Sequence, residues 1–220
     1  MDTEAARERM VDRLRGREID PAALDALRTV PRHEFVPGRD AGAAYADRPL
    51  PIGGDQTISA PSVVALMCSL LAVAPGDDVL EIGTGCGYHA AVTAELVAGD
   101  RADAGGVYSV EYDPELAAAA RDRLSRLGYD AVHVRVGDGH EGWSEHAPYD
   151  AAYLTCATPE IPEAVVDQVR AGGRVVAPVG DAVGRFGGQR LVRLTVGEDG
   201  IEREDHGGVR FVPMRGGEGD

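Results

Sequence analysis

A glycine-rich turn between a buried strand and a helix constrains the fold of this chain more than any other feature. Residues 78–82 have the pattern of a short β-strand, residues 83–87 read Gly-Thr-Gly-Cys-Gly, and the residues from there to 97 have a helical pattern. Glycines at such a turn let the backbone approach a ligand and point the first amides of the helix towards it. Glycines also serve plain tight turns, so the turn alone predicts a strand–turn–helix unit and leaves the ligand open.

The alternation of strands and helices continues along the chain. Further strands are predicted at residues 106–111, 131–136, 149–155 and 174–179, with helices at 114–127 and 161–169. This spacing is typical of a parallel sheet covered by helices on both faces. The predicted fold is therefore α/β, a doubly wound and mostly parallel sheet.

The two ends of the chain depart from this alternation. Residues 3–28 carry apolar side chains at helical spacing, and Asp20 followed by Pro21 is typical of the start of a helix. Residues 45–59 are rich in proline and glycine and predict a long ordered loop before a helix at 61–73. Near the other end, glycine-containing turns separate three predicted strands at residues 189–196, 200–205 and 209–212.

These patterns predict one domain over residues 1–220. Its three parts are an N-terminal helical extension with a long loop (1–75), a ligand-binding βαβ core (76–180) and an antiparallel C-terminal β segment (181–220). In an open parallel sheet, ligands bind beyond the carboxyl ends of the strands, so the site is expected there.

Two classes of cofactor are compatible with the glycine turn. The run from Gly85 to Ala90 has the G-x-G-x-x-A spacing of dinucleotide sites, and Glu111 at the end of the next strand is suited to a ribose. Against this, Glu81 stands two residues before Gly83, where its charge would repel a pyrophosphate. That carboxylate favours the cationic methyl donor S-adenosylmethionine.

Acidic residues at the ends of the next two strands agree with an adenosyl ligand. Glu111 is positioned to accept hydrogen bonds from ribose hydroxyls, and Asp138, followed by Gly139, to accept one from an adenine amino group. Each acid taken singly could also be a solvated side chain in so acidic a chain. Acids at three consecutive strand ends together favour a binding site.

The charge balance excludes some partners. The 22 basic residues are all arginine, there are 37 acidic residues, and the formal net charge is −15. Such a field repels nucleic-acid phosphate and anionic lipid, so neither partner is expected. The histidines and cysteines have no metal-ligand spacing, so no metal is expected.

The cysteine count and the hydropathy pattern bear on location. Three widely spaced cysteines exclude a disulfide scaffold, the apolar runs are too short to span a bilayer, and the N-terminus is polar. The sequence therefore predicts a cytoplasmic protein.

Several motifs resemble those of one enzyme family, the protein-L-isoaspartate O-methyltransferases. The most specific is Gln-Thr-Ile-Ser-Ala-Pro at residues 56–61, paired with Val-Arg-Phe-Val-Pro at 209–213. Further matches are Val-Pro-Arg-His-Glu-Phe-Val-Pro at 30–37, Asp-Arg-Pro-Leu-Pro-Ile-Gly at 47–53, the glycine turn, Val-Gly-Asp-Gly at 136–139 and Ala-Pro-Tyr-Asp at 147–150. The resemblance implies a Rossmann-like enzyme that transfers a methyl group from S-adenosylmethionine to the free carboxylate of L-isoaspartyl residues in damaged proteins, leaving S-adenosylhomocysteine.

The resemblance also implies roles for particular residues. Ser59 matches the active-site serine between the cofactor's methyl group and the substrate carboxylate, and Val212 and Pro213 match the segment along which the substrate peptide lies. The matches to cofactor-binding positions are Gln56, Thr57, Ile58, Glu81, Gly83, Gly85, Glu111, Asp138 and Gly139. Ser59 has an alternative role as the N-cap of the helix that begins near Pro61.

Departures from the family pattern keep alternatives open. Asp55 and Ser62 stand where many relatives have other residues, and Asp55 adds a carboxylate near a site for an anionic substrate. A methyltransferase for another substrate, or a cofactor-binding relative that acts through a partner protein, therefore remains possible. We expect a monomer.

The absence of lysine in so acidic a chain points to a source. This composition suits a halophilic archaeon, whose salt-rich cytoplasm screens self-repulsion. An acidic mesophilic protein from a GC-rich genome is the alternative.

Overall fold

A computed structural model describes residues 2–36, 38–98, 105–180 and 188–217, so Pro37 of the motif at 30–37 lies outside the described residues. A seven-stranded sheet with the strand order β5-β4-β3-β6-β7-β8-β9 dominates the fold. The first five strands in this order are parallel, while β8 and β9 are antiparallel to their neighbours. The predicted α/β fold with antiparallel C-terminal strands is confirmed.

The elements follow the predicted alternation closely. The strands of the large sheet are β3 (Val79–Ile82), β4 (Val107–Glu111), β5 (Val132–Val136), β6 (Tyr149–Leu154), β7 (Val169–Val179), β8 (Arg190–Val196) and β9 (Ile201–Gly208). The helices are α1 (Thr3–Leu14), α2 (Pro21–Thr29), α3 (Ala41–Ala44), α4 (Pro61–Leu71), α5 (Tyr88–Val97), α6 (Pro114–Arg126) and α7 (Glu163–Asp167).

Strand β3 lies inside the large sheet, between β4 and β6. All four of its residues are buried, as expected of a strand with neighbours on both sides and a packed layer on each face. Successive side chains alternate between the faces, so Val79 packs into one apolar core and Leu80 and Ile82 into the other. In register, Glu81 lies beside Ser109 of β4 and Tyr153 of β6.

Helix α4 packs against strands β6 and β7 of the sheet, and α2 packs against α4 and α5. Asp20 caps α2 by accepting a hydrogen bond from the Ala22 amide (2.8 Å), and Pro21 occupies the first helical position, as predicted. Farther along, the buried guanidinium of Arg32 lies 4.7 Å from the centre of the Tyr88 ring and donates to the carbonyl of Ala44. These contacts fix the N-terminal segment against the helix that follows the glycine turn.

The segment predicted as a loop at 45–59 instead contains a β-hairpin. Strands β1 (Leu50–Gly53) and β2 (Gln56–Ile58) pair antiparallel in a small separate sheet. Gly54 and Asp55 join them, both with positive φ (57° and 58°), which is the backbone of a tight two-residue hairpin turn. Glycine and aspartate both tolerate that backbone, so the turn gives Asp55 a local structural role.

The sequence prediction was also wrong at two other places. The helix predicted at 161–169 is only α7 (Glu163–Asp167), because Val169 already begins β7. The strand predicted at 209–212 does not form; the backbone of Phe211 instead bonds to the side chain of Gln189, which donates to its carbonyl (3.0 Å) and accepts from its amide. A side chain therefore takes the place of a strand partner there.

Among the described residues, no helix has both the length and the apolar character needed to cross a membrane.

Candidate functional site

The glycine turn opens into a cavity at the carboxyl edge of the parallel strands, which we call the edge cavity. Its lining comes from the ends of β3, β4 and β6, the turn after β5, the hairpin and the segment after β9. The lining residues are Ile52, Gln56, Thr57, Ile82, Gly83, Gly85, Val110, Glu111, Tyr112, Gly139, Thr155, Cys156, Val212, Pro213, Met214 and Arg215. The site therefore lies where an open parallel sheet places its ligands.

The backbone of the turn needs glycine. Gly83, Gly85 and Gly87 have φ angles of 96°, 55° and 87°, in the region that side chains disfavour. A Cβ atom at Gly83 would also overlap the hydroxyl of Thr155. Because the glycines have no side chains, a ligand in the cavity can lie directly against the backbone of the turn.

Glu111 supplies the carboxylate of the edge cavity. Its Oε2 accepts a hydrogen bond from the Gly85 amide (2.8 Å), and its Oε1 accepts one from the Asp113 amide (3.0 Å). Each bond uses one lone pair and leaves another on the same oxygen. This arrangement fixes the carboxylate beside the turn and suits the two hydroxyls of a ribose.

A second cavity adjoins the first and contains Ser59; we call it the serine cavity. The two share Ile52, Thr57, Gly83, Gly85 and Thr155. The serine cavity is further lined by Ile58, Ser59, Val64, Thr84, Cys86, Tyr88 and His89. The motif at 56–61 thus crosses from one cavity to the other, with Gln56 and Thr57 at the edge cavity and Ile58 and Ser59 at the serine cavity.

The alternative role of Ser59 as a helix cap is wrong. The residue before α4 is Ala60, which makes no side-chain capping bond, and Asp47 instead caps the helix by accepting from the Ser62 amide (2.9 Å). Within the described part of the chain, the Ser59 hydroxyl has no hydrogen-bond partner. It is therefore available to a bound molecule.

The serine cavity contains no charged side chain that could act as a base. Its one imidazole ring, that of His89, is buried, and burial lowers its pKa to about 3. His89 is therefore neutral at physiological pH, and its Nε2 lies 3.6 Å from the sulfur of Cys68. A reaction in the serine cavity therefore cannot use a charged side chain of the lining as its base.

The prediction that the charge of Glu81 faces the cofactor is wrong. Glu81 is fully buried behind the turn, where Tyr153 donates to its Oε1 (2.9 Å) and Ser109 to its Oε2. Ser109 also bonds to Thr84, and Thr93 donates to Tyr153, which completes a group that we call the interior polar cluster. Burial raises the pKa of Glu81 to about 8, so the carboxyl is mainly protonated at neutral pH.

Asp138 lies beside the edge cavity without lining it, whereas its neighbour Gly139 does line it. Asp138 accepts from the amide and the ring of His140 (2.9 and 2.7 Å) and from the Gly217 amide (2.7 Å). Burial alone would raise the pKa of Asp138, but these bonds outweigh it and lower that pKa. An adenine amino group would therefore share this carboxylate with Gly217 or displace it.

Residues 209–217 cross the edge cavity and are called the C-terminal strap here. Ala157 holds the strap by donating to the carbonyl of Val212 (2.7 Å) and accepting from the amide of Met214 (2.8 Å). Val212 and Pro213 thereby line the cavity together with residues of the hairpin.

Several residues that line the edge cavity were not predicted from the sequence. Thr155 and Cys156 follow β6, the strand beside β3, so the rule about strand ends could have found them. Tyr112 directly follows Glu111. Arg215 had no such signal, because the strap reaches the site through tertiary contacts only.

Among the described residues, no three or more histidine, cysteine, aspartate or glutamate side chains are grouped as a metal would require.

Comparisons with known proteins point to one family. A family model described as protein-L-isoaspartate(D-aspartate) O-methyltransferase matches residues 5–219. The chain is 50% identical over 218 residues to protein-L-isoaspartate O-methyltransferase 2 of Archaeoglobus fulgidus, covering 98% of this chain and 95% of that protein. It is likewise 50% identical over 220 residues to protein-L-isoaspartate O-methyltransferase of Methylorubrum populi, covering 99% and 98%.

Solved structures agree with this result. One, named protein-L-isoaspartate O-methyltransferase, has a TM-score of 0.86 at 30% identity; the match covers 96% of this chain and 66% of that longer one. Another, a Plasmodium falciparum protein solved in complex with S-adenosyl-L-homocysteine, has a TM-score of 0.81 at 22% identity and covers 95% of this chain. At that identity the second structure shows a shared fold.

Proposed function

The chain belongs to the protein-L-isoaspartate(D-aspartate) O-methyltransferase family, and from that premise we propose which of its residues carry each part of the reaction. The enzyme moves a methyl group from S-adenosylmethionine to the free carboxylate of an L-isoaspartyl residue in a damaged protein. The nicotinamide alternative considered for the glycine turn is thereby set aside.

One observation carries the proposal of site residues. Parts of the chain far apart in sequence meet at one edge of the sheet: the hairpin, the glycine turn, the ends of β4 and β6, and the strap. The family motifs at 56–61, 83–87, 136–139 and 209–213 contribute to the same pair of cavities. A cofactor in the edge cavity and a carboxylate in the serine cavity would lie side by side.

The residues of the edge cavity fit the adenosyl cofactor. Glu111 offers one free lone pair on each oxygen for the ribose hydroxyls, and Gly83 and Gly85 let the ligand lie on the backbone. Gln56 and Thr57 cover it from the hairpin, and Gly139 leaves room beside Ile82. When bound, the cofactor supplies an electrophilic methyl group on a positively charged sulfur.

Ser59 is proposed to hold the substrate carboxylate. Its hydroxyl has no partner among the residues that the structure describes, and it lies in the cavity that adjoins the cofactor site. A free carboxyl group has a pKa near 4, so the nucleophile is already ionised at neutral pH and needs no base. This agrees with a cavity in which the imidazole of His89 is neutral. Alignment of the carboxylate and exclusion of water then provide the catalysis.

The damaged protein is proposed to lie along the strap at Val212 and Pro213. The departures at Asp55 and Ser62 have little bearing on this. Asp55 is exposed in the hairpin turn, and Ser62 lies on α4 outside both cavities. Neither residue adds a charge to the lining.

We also propose the organisation and setting of the enzyme. The three parts of the chain, residues 1–75, 76–180 and 181–220, act as one monomeric domain in the cytoplasm, without nucleic acid or membrane as a partner. The charge of −15 without lysine supports a salt-rich cytoplasm as that setting.

Paired peptides test the proposed activity. The protein is incubated in molar KCl with labelled S-adenosylmethionine and either an isoaspartyl peptide or its normal aspartyl counterpart. We expect label on the isoaspartyl peptide alone. Equal labelling of both peptides would indicate another substrate class, and cofactor binding without transfer would indicate a non-catalytic relative.

A further inference from the structure

We propose that Arg215 is a positioning residue that fastens the strap to the hairpin over the nucleoside half of the bound cofactor. The inference rests on the proposed function, because it concerns how long the cofactor stays in the edge cavity. Arg215 lies outside every motif identified in the sequence.

The contacts of Arg215 connect two separate parts of the chain. Its Nη2 donates to the carbonyl of Gly54 in the hairpin turn (3.2 Å), 161 positions earlier in the sequence. Its Nη1 lies 3.9 Å from a carboxylate oxygen of Asp113. Gly54 itself faces Asp113, since a Cβ built on Gly54 would lie 3.6 Å from the same oxygen. The guanidinium therefore stands where the strap, the hairpin and the start of α6 meet.

This position lies above the ribose end of the cavity. Arg215 lines the edge cavity together with Glu111 and Tyr112 and is absent from the lining of the serine cavity. Asp113 is two residues from Glu111 and donates its amide to that carboxylate (3.0 Å). Arg215 is thus next to the groups proposed to hold the nucleoside and away from those proposed to hold the substrate carboxylate.

The two sides of the cavity differ in how firmly they are held. The strap is anchored to the body by backbone bonds to Ala157 and by side-chain bonds from Gln189. The hairpin strands are short and form backbone bonds only in a separate two-stranded sheet, while Leu50 and Ile58 pack into the apolar core. Such a small sheet is marginally stable alone. A bond from the strap would hold the hairpin, with Gln56 and Thr57, against the ligand.

Arginine suits this task better than a shorter side chain. Its planar group carries several donors in a fixed fork, so it can reach the Gly54 carbonyl and the Asp113 carboxylate at the same time. Only one of its donors makes a hydrogen bond within the described residues. The remaining N–H groups are available to ligand oxygens at the rim.

Release of S-adenosylhomocysteine measures this role directly. Stopped-flow would measure the dissociation rate of S-adenosylhomocysteine, and calorimetry its affinity, both in molar KCl. The proteins compared are wild type, Arg215→Ala, Arg215→Lys and Arg210→Ala. Arg210 is an exposed arginine on the same strap and serves as the matched control. We expect Arg215→Ala to release the product about tenfold faster, since related variants differ mainly in dissociation rate. Lysine should restore the rate to within about threefold, and Arg210→Ala should match wild type.

A second readout separates positioning from simple support of the fold. For Arg215→Ala, the KM for S-adenosylmethionine should rise while the KM for the isoaspartyl peptide and the melting temperature of the cofactor-free protein stay at wild-type values. An unchanged release rate, or a fall in melting temperature that accounts for the weaker binding, would overturn the inference. If wild type bound no S-adenosylhomocysteine, the proposed function would fail with it; if only the variant comparison failed, the function would stand.

Discussion

Two glutamates on neighbouring strands stand in two very different regions of the molecule. Glu111, the last residue of β4, has its carboxylate in the edge cavity, held by two backbone amides. Glu81, the third residue of β3, is sealed in the interior polar cluster, held by two hydroxyls. From the sequence, both were expected at the cofactor, Glu81 through its charge and Glu111 through hydrogen bonds to the ribose. The comparison shows that an acidic residue near a strand end can contact a ligand only when its side chain reaches the cavity and is not enclosed in the protein interior.

The electrostatic consequence follows from burial. The interior polar cluster keeps Glu81 away from water, so its protonated form is preferred. The edge cavity gives Glu111 two amide donors, so backbone hydrogen bonds hold both of its oxygens. The cofactor predicted from the family resemblance is confirmed. The prediction that the charge of Glu81 attracts this cofactor is wrong, because Glu81 is buried away from the cavity.

The largest expected effect concerns the pH dependence of stability. Burial raises the pKa of folded Glu81 from 4.5 to about 8, so between these values the folded state binds more protons than the unfolded state. Stability should therefore fall as the pH rises through this window. At 1.36 kcal/mol per pH unit, the loss is at most roughly 5 kcal/mol.

Unfolding by guanidinium at pH 5, 6.5 and 8 would measure this loss. Glu81→Gln has no titrating group at this position, so the difference between wild type and the variant should shrink or reverse as the pH rises. Glu202→Gln, on the exposed strand β9, is the control and should follow wild type. Parallel pH profiles for wild type and Glu81→Gln would mean that the interior carboxyl is not protonated in the folded state.

The glycine turn lies between the edge cavity and the interior polar cluster. The second prediction concerns the loss of stability when alanine replaces a glycine of this turn. At Gly83, alanine would combine a φ of 96° with overlap of the Thr155 hydroxyl. At Gly76, with a φ of 97°, the space for a Cβ is open. We expect Gly76→Ala to cost about 1–2 kcal/mol from backbone strain alone. Gly83→Ala should cost roughly 2 kcal/mol more, because something has to shift around the new Cβ.

Chemical unfolding of the two alanine variants checks this difference. Adding Thr155→Ala to Gly83→Ala should recover part of the extra cost, since it removes the overlapping hydroxyl. Equal destabilisation at both glycines would show that strain, rather than close approach to β6, requires glycine at the turn.

Much of this architecture could be predicted from the sequence, and the exceptions share a physical cause. The strand and helix pattern, the cap at Asp20 and the place of the glycine turn depend on local sequence. The hairpin at 50–58 was missed because proline and glycine suggest a loop, while the pairing comes from a two-residue turn. The strand expected at 209–212 failed because Gln189, a tertiary partner, occupies its hydrogen bonds.

The same distinction holds at the candidate site. The motifs predicted Gln56, Thr57 and Gly139 at the site, and the strand-end rule predicted Glu111; all four line the edge cavity. The environment of Glu81 could not be predicted from the sequence. Its buried position depends on which face of β3 it occupies and on hydroxyls from β4 and β6. Arg215 was missed because its contact with Gly54 joins distant parts of the chain.

The third prediction is that substitution of Glu111 weakens cofactor binding and substitution of Glu81 does not. Glu111→Gln should weaken the binding of S-adenosylhomocysteine by about 100-fold. The amide loses an acceptor, and its NH2 group would face one of the two backbone N–H groups; a bond to a charged group contributes about 1.5–3 kcal/mol. Glu81→Gln should leave the affinity within about threefold of wild type. Calorimetry in molar KCl measures both, and equal losses would place the two acids in one functional unit.

The smallest expected effect belongs to Ser59, which extends the comparison to the serine cavity. Removal of its hydroxyl should lower kcat/KM for an isoaspartyl peptide by roughly 10- to 30-fold, the worth of one hydrogen bond to a carboxylate. The affinity for S-adenosylhomocysteine should not change, because Ser59 lines only the serine cavity of the two. Ser62→Ala, three residues along and outside both cavities, is the matched control and should retain full activity. A loss of cofactor affinity in Ser59→Ala would mean that the two cavities form a single binding site and that the serine holds the cofactor rather than the substrate.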